Sequence, residues 1–365
     1  MDQGEKLLKP VKTFLIDRGY YKIILSLILS YFIILGISYK EKIEDKNQQN
    51  NSNNLNLFSK LFSIVKVDNI EAFSILSIAL LYIFDTGERR QKTIYEASQV
   101  IDSAAAANIE TSYARITALQ DLNCYGVSLK GLDVPKADLE KINLKGAQLQ
   151  KANLKRAKLQ RAKLQGADLK RAKLQRAKLK RAKLQGADLK RAKLQGANLQ
   201  GANLERAIFT RANLQGANLK EAILKRAELQ LAVLQGANLQ RANLQKAKLK
   251  GANFEDANLE EANLEEANLH TTNLQKANLQ KANLQKVELE TAQLQGANLQ
   301  GANLQGAKLR FAEFQGAKLQ RANLQGANIE EAYVKNAEFM HDVEISAEQK
   351  AKLKQKGAIF LGTSG

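Results

Sequence analysis

Residues Lys151–Lys170 read KANLKRAKLQRAKLQGADLK, and Arg171–Lys190 read RAKLQRAKLKRAKLQGADLK. The two stretches differ at four positions. Inside each, an Ala-x-Leu triplet returns every five residues, and that period runs without a frame slip from Ala137 to Phe339. Ala fills 38 of the 41 first positions, the exceptions being Ile142, Thr272 and Val287. Leu fills 35 of the 41 third positions, with Phe209, Phe254, Phe314, Ile329, Val334 and Phe339 in the others. Weaker copies run upstream through Leu122/Cys124, Val127/Leu129 and Leu132/Val134.

Composition and period point in opposite directions here. Ala, Leu, Lys, Gln and Arg are helix formers, so composition alone reads as a long helix. In a helix, however, five residues advance about 500°, and the triplets would wind around the whole surface without making a stripe. In an extended segment, residues two apart face the same side. Each triplet then puts one small and one large apolar group inward, and the remaining two residues turn a corner. Four such sides close a square coil of twenty residues, the length of the near-duplicate just quoted. Stacked at the interstrand distance of about 4.8 Å, the repeats make about ten coils, and the upstream copies add about one.

A tandem A(D/N)LXX pattern resembles the pentapeptide repeat family, over Ala137 to Phe339, more than half the chain. The resemblance implies a right-handed quadrilateral β-helix with the central Leu or Phe residues stacked as interior ladders. The segment ERRQKTIYEASQVI…ARITALQDLNCYGVSLKGLDV also looks like the region before the repeats in membrane-linked cyanobacterial members, a likeness that implies no activity. The expected fold class is an all-β solenoid preceded by an α-helical membrane hairpin and a linker helix.

The hairpin is read from two apolar runs. Ile23 to Tyr39 carries no charge, is bracketed by Lys22 and Lys40, and has Tyr20, Tyr21 and Tyr39 at its edges. That is long enough to cross a hydrocarbon core, with the interfacial residues in place. Ala72 to Phe84 is uncharged but shorter, so it reads as a second span or as a helix lying on the membrane. Between them lies a polar, Asn-rich linker, Lys40 to Asn54. Basic residues outside the two runs favour both ends, and with them the solenoid, on the cytoplasmic side. From Gly87 to Asp121, Ile94, Ala97, Ile101, Ala105, Ile109, Tyr113, Ile116 and Leu119 recur at helical spacing, as one helix or two broken near Ser103 to Asn108. At the far end, Ser346 and Gln349 make a capping-box start. A short helix from Ala347 to Lys356 would let Ile345, Leu353, Ile359 and Phe360 cover the last coil. In some members of the family that end makes a dimer instead. The expected organisation is a membrane region over 1–86 (helices near 20–39 and 67–84), a linker over 87–118, the β-helix over 119–340 and a cap over 341–365.

Inward positions are structural, so function falls to the outward ones. The 365-residue chain has 56 Lys and Arg against 37 Asp and Glu, a formal charge of +19. Lys151 to Lys193 holds 17 of the bases and only Asp168 and Asp188 as acids. Residues twenty apart lie above one another in the square coil, so Lys151, Arg171, Arg191 and Arg211 form a ladder, as do Arg161 with Arg181; Arg156 and Arg176 belong to the same basic stretch. Like charges about 5 Å apart repel, and a bound polyanion relieves the repulsion. These eight residues are the candidate polyanion site; a solvated face that keeps the rod soluble is the plainer reading. Glu255, Asp256, Glu260, Glu261, Glu265 and Glu266 make a candidate acidic belt that seats a basic partner or reflects drift among exposed positions.

One Cys and two His exclude a disulfide framework and a structural zinc site. Cys124 falls in register at an inward position and is expected buried; His270 and His341 are expected exposed. No nucleotide loop, catalytic pair or nucleophile with a base stands out, so no catalytic, cofactor or metal residue is expected. The function read from the sequence is a membrane-anchored, non-enzymatic scaffold that presents a charged surface to a macromolecular partner. The alternatives are polyanion binding, to nucleic acid or anionic lipid, and a membrane effector that assembles through its rods as a homo-oligomer. Some relatives mimic DNA through acidic surfaces, which this basic chain does not match.

Overall fold

The structure is a computed structural model that describes residues 22–34, 36, 68–107, 109–341 and 343–362. It divides into two units, Met1–Tyr95 and Glu96–Gly365.

In the first unit, helix α1 covers 22–34, and helix α2 runs over Asp68–Ala106 into the second unit. The expected boundary at 86/87 therefore falls inside one helix, because the Gly87 segment carries no breaker besides that glycine. Ser26, Ser30 and Ser77 are buried, whereas Ile24, Ile28, Phe32, Ile75 and Ile78 are exposed. Among the described residues, no helix is long and apolar enough to cross a membrane. Residues 20, 21, 35 and 37–39 of the first apolar run lie outside the described residues, as do the side chains of 68–72.

In the second unit α2 ends at Ala106, and α3 follows over Tyr113–Cys124. The break is set by Ser112, whose hydroxyl caps α3 by accepting the Arg115 N–H. Leu122 is buried on this helix and Cys124 is exposed on it. The expectation of a buried, inward Cys124 is thus corrected: Leu122/Cys124 keeps the spacing of a repeat, but helical backbone turns residues two apart to different faces. The coil ladder starts later than residue 119, with parallel bridges from Asp133 to Asn153 and from Asp138 to Lys158. From there each second-position residue pairs with the one twenty residues on, as far as Lys318 with Glu338.

Where each backbone N–H goes explains the repeat. Leu154 N–H donates to the Lys173 carbonyl, Arg156 N–H to that of Gln175, and Lys173 N–H back to that of Ala152, at 2.8–2.9 Å. Ala157 N–H closes the corner onto the Leu154 carbonyl at 3.1 Å. That accounts for four of the five N–H groups in a repeat. The fifth belongs to the residue after Leu, and no backbone carbonyl reaches it. Where the second position is Asn or Asp, its side chain does so in all but two repeats, those of Asn143 and Asn328: Gln200 N–H donates to Asn198 Oδ1 at 3.1 Å, and Gln240 N–H to Asn238 Oδ1 at 3.0 Å. Asn and Asp are the side chains suited to this Asx turn.

The corner has its own requirement. Its third residue takes a positive φ, at Gly where the repeat has Gly and otherwise mostly at Arg, Lys or Glu, as at Arg171 (+59°) and Glu261 (+54°). A turn with φ > 0 there favours Gly sterically. Inside, the first and third positions are closed to solvent: Ala182, Leu204, Phe254 and Leu289 are all 0% exposed. Thr272, one of the three exceptions to Ala, satisfies its hydroxyl by donating to the Leu249 carbonyl at 3.1 Å.

The last coil is covered. Strand β1, Glu338–Met340, pairs in parallel with β2, Ile359–Leu361. Helix α4, Ala347–Gln355, starts on the capping box of Ser346 and Gln349 and buries Leu353. Phe360 stacks on Phe339, Ile345 is half-buried, and Ile359 points outward and is exposed, against expectation, because β2 alternates its faces.

Candidate functional site: the basic coils

All eight candidate bases are exposed at corners. The twenty-residue register assigns them to three edges of the rod. Lys151, Arg171, Arg191 and Arg211 share one, Arg156 and Arg176 the next, Arg161 and Arg181 a third. Arg171, Arg191 and Arg211 line a shallow groove of about 420 Å³ with Lys170, Lys190, Thr210 and Leu231. Arg156 and Arg176 line a second, of about 380 Å³, with Pro135, Lys136, Lys155 and Gln175. Arg161 and Arg181 stack on the third edge, and the stem of Arg181 leans over Gly201, where an added Cβ would lie 3.6 Å from Arg181 Cγ. Lys151 shares the register of the first edge without lining its groove.

Lysines and arginines are used differently. Lys170 Nζ lies 3.1 Å from Asp168 and 3.3 Å from Asp188, and Lys190 and Lys158 reach Asp188 and Asp138. Among the described residues, none of the seven candidate arginines lies within ion-pair distance of a carboxylate. Burial by itself would raise the Asp168 carboxyl. The Lys170 backbone N–H, the Gln150 amide and the Lys170 ammonium outweigh it and hold that carboxyl below its ordinary value. Hydrogen bonds to Asp168 and then Asp188 raise the Lys170 ammonium.

A second feature of these coils escaped sequence reasoning. Six second positions carry Lys: Lys158, Lys163, Lys173, Lys178, Lys183 and Lys193. Lys offers no Asx acceptor, so the N–H groups of Gln160, Gln165, Gln175, Lys180, Gln185 and Gln195 lose theirs. In the five Gln among them, the buried Oε1 also has no partner. Lys158 bridges directly to Lys178, Lys163 to Lys183 and Lys173 to Lys193, so like charges sit one above the other. The A-[N/D/K]-L pattern contained the signal, but only the hydrogen-bond accounting gives the third letter its meaning.

The acidic belt is put to structural use. Glu255, Glu260 and Glu265 accept from Gln235, Gln240 and Gln245 of the preceding coil at 3.0–3.2 Å. Glu261 pairs with Arg241 at 2.7 Å and Glu266 with Lys246 at 3.2 Å. The hydrogen bond from Arg241, and then its charge, lower the Glu261 carboxyl. Asp256 lies on the same coil, at a positive-φ corner. Among the described residues no group of three His, Cys, Asp or Glu is placed to hold a metal. His270 is half-buried and His341 exposed.

The family model for pentapeptide repeats matches in overlapping stretches from 123–161 through 288–326, more than half the chain. The chain belongs to the pentapeptide repeat family. Members fold as right-handed quadrilateral β-helices, and the four-sided coil described above is that fold. No curated protein matches this pentapeptide repeat protein. Among solved structures it is similar to HetL of Nostoc sp. strain PCC 7120, a pentapeptide repeat protein involved in heterocyst differentiation regulation. The two share 34% identity over 59% of this chain and 93% of that one, with a TM-score of 0.37. It is also similar to Rfr23 of Cyanothece 51142, at 32% identity over 29% and 86% of the two chains, TM-score 0.28. A third similarity is to QnrB1, a plasmid-mediated fluoroquinolone resistance protein, at 22% identity over 49% and 93%, TM-score 0.36.

Proposed function

We propose that this pentapeptide repeat protein is a non-enzymatic interaction rod that docks an acidic macromolecular surface on its basic N-terminal coils. The observation that carries the reading is the stability these coils forgo. Six lysines occupy positions where Asn or Asp would satisfy a backbone N–H, and they stack like charge on like charge instead. Local rules broken this consistently mark places selected for something other than stability. A polyanion neutralises the ladders and releases counterions, which offsets the repulsion. No aromatic side chain interleaves the ladders, so the fit is to phosphates or acidic groups and not to stacked bases.

The same proposal attaches the chain to a membrane through its N-terminal region, with the solenoid on the cytoplasmic side. Its support is the uncharged Ile23 to Tyr39 run together with the inverted burial of the first unit. Ser26, Ser30 and Ser77 are inside, and Ile24, Ile28, Phe32, Ile75 and Ile78 are outside. Small polar residues between helices and apolar ones outside are the arrangement a lipid environment favours.

The test of the docking face is salt-dependent binding of duplex DNA and of phosphatidylserine vesicles, with Arg171, Arg191 and Arg211 all changed to Glu. Loss of binding and of its salt slope in the variant is expected. Binding that is unaltered by the triple change, or absent with both probes, overturns the proposal.

A further inference from the structure

The four sides of the basic coils are not equivalent. Repeats twenty residues apart stack on one side of the rod, so each side has its own surface and two edges. The side whose repeats start at the corners 151, 171, 191 and 211 presents nine Lys or Arg, edges included, and no acid. Over the same turns each of the other three sides presents at least one acid: Glu221, Glu205, or Asp168 with Asp188. The two grooves described above, one lined by Arg171, Arg191 and Arg211 and the other by Arg156 and Arg176, run along the two edges of the acid-free side. All five arginines are exposed.

The next repeat on this side is apolar outside as well as inside. Leu231 takes the corner and Val233 the second position, and no other repeat between Ala137 and Phe339 joins an apolar corner to an apolar second position. Leu231 is 49% exposed, lines the first groove with Arg211, and leans over Gly251, which has no side chain to cover it. Glu255 and Asp256 then reverse the charge and end the patch. A partner that neutralises nine bases and also takes up an apolar pair must carry anionic groups beside hydrocarbon. Duplex nucleic acid offers the first alone and would set Leu231 against phosphate. A bilayer with anionic lipid offers both: about 1 kcal/mol for each Lys or Arg near its surface, and an interface that accepts aliphatic side chains. A flat side also meets a flat membrane along its length, whereas the phosphates of a duplex recede around a cylinder.

We infer that the acid-free side of the N-terminal coils lies against an anionic membrane surface, with its arginines at the headgroups and Leu231 and Val233 in the interface. The inference rests on the docking reading above and names its partner as lipid. The test uses the full chain carrying Cys124→Ser, which removes its one cysteine, and a single new cysteine labelled with a fluorophore that brightens in an apolar environment. Leu231→Cys places the label on the acid-free side; Ile223→Cys, 40% exposed in the native chain, places it on the opposite side. Vesicles of phosphatidylcholine and phosphatidylserine in equal parts should raise emission at 231 severalfold and leave 223 unchanged. Vesicles of phosphatidylcholine alone should leave both unchanged, and adding the triple change of Arg171, Arg191 and Arg211 to Glu should abolish the rise. An equal response at the two positions, or one that is the same on neutral vesicles, overturns the inference. If 231 is silent on mixed vesicles while duplex DNA still binds with a salt slope, lipid is the wrong partner and the docking face stands. If neither vesicles nor DNA engages these coils, the docking reading falls and this inference with it.

Discussion

The Phe360 ring lies on the Phe339 ring, centroids 5.3 Å apart and planes within 19°. Phe339 is the last inward residue of the repeat and Phe360 belongs to β2, so the tail lays one more rung over the final coil. Without it, the last coil would present a hydrophobic face and an unpaired edge. Phe360→Ala is therefore expected to lower stability by about 1–3 kcal/mol, less than a fully buried Phe because Phe360 is only half-buried. It should also promote end-to-end association. Denaturant midpoints read the first effect and light scattering the second; an unchanged midpoint with a monodisperse sample would contradict the capping role.

The lysines at second positions leave room for a change of the opposite sign. Changing Lys173 or Lys178 to Asn restores an acceptor for the N–H of Gln175 or Lys180 and removes one member of a stacked lysine pair. Each change should stabilise the rod by about 0.5–1.5 kcal/mol, the usual worth of one hydrogen bond. Asn238→Ala, which strips the acceptor from Gln240 N–H, should cost a similar amount. If the lysines serve docking, the stabilised variants will bind the anionic probes more weakly. Thermal melts and binding titrations on the same samples measure both sides of this exchange.

The fold was legible because the apolar pattern is nearly invariant: a period of five fits no helix, and Ala-x-Leu fits a square coil. The cap was legible from Ser346 and Gln349 for the same local reason. Cys124 shows where the pattern misled, since Leu122 and Cys124 keep the spacing of a repeat while Ser112 starts a helix through them. The candidate site was legible as charge and register, but not as hydrogen bonding. Arg115, buried on α3, was not legible at all. Nothing local distinguishes it from other arginines, and its burial is created by a connection and a coil that meet only in the folded chain.

Leu231 and Gly251 form a vertical pair at one corner. A Cβ built on Gly251 would sit 2.9 Å from Leu231 Cδ2, at a backbone φ of +67°. Gly251→Ala therefore meets an unfavourable φ and makes the exposed Leu231 side chain shift to give it room, and should destabilise by about 1 kcal/mol. Leu231→Ala removes the need for that shift but not the φ penalty. The double variant should then be less destabilised than the sum of the singles, by at least about 0.5 kcal/mol. Strict additivity would show that the two side chains do not share the space.

The pH dependence follows from the signs of the shifts. Asp168 and Glu261 have carboxyls held below their ordinary values, so their contribution is complete above the unfolded carboxylate range near 4 and is lost as pH falls through the lower folded values. Lys170 is raised, so its contribution is complete below the unfolded ammonium range near 10 and is lost as pH rises through the folded value. Stability should be flat between those limits and fall on both sides. Asp168→Asn keeps an acceptor oxygen for Lys170 N–H but removes the charge, and should flatten the acid limb. Urea midpoints at pH 3, 5 and 7 test this; an acid limb identical to wild type would remove Asp168 from the explanation.

Membrane attachment predicts a specific response to charge on the outer faces of the first unit. Leu27, Ile28 and Phe32 are exposed on α1, Ile28 and Phe32 on the side away from buried Ser26 and Ser30 and Leu27 on the flank. Lysine at an exposed position opposes little in water but is unfavourable at membrane depth. The full chain should stay with membranes through carbonate extraction. Replacing Leu27, Ile28 and Phe32 together by Lys should release it while the β-sheet signal of the solenoid and its melting temperature stay the same, because the repeats bury their own apolar faces. If the wild-type chain is itself released by carbonate, the attachment proposal fails and the docking face stands alone. If the triple lysine variant remains bound as tightly as wild type, the exposed face of α1 is not what holds the chain to the bilayer.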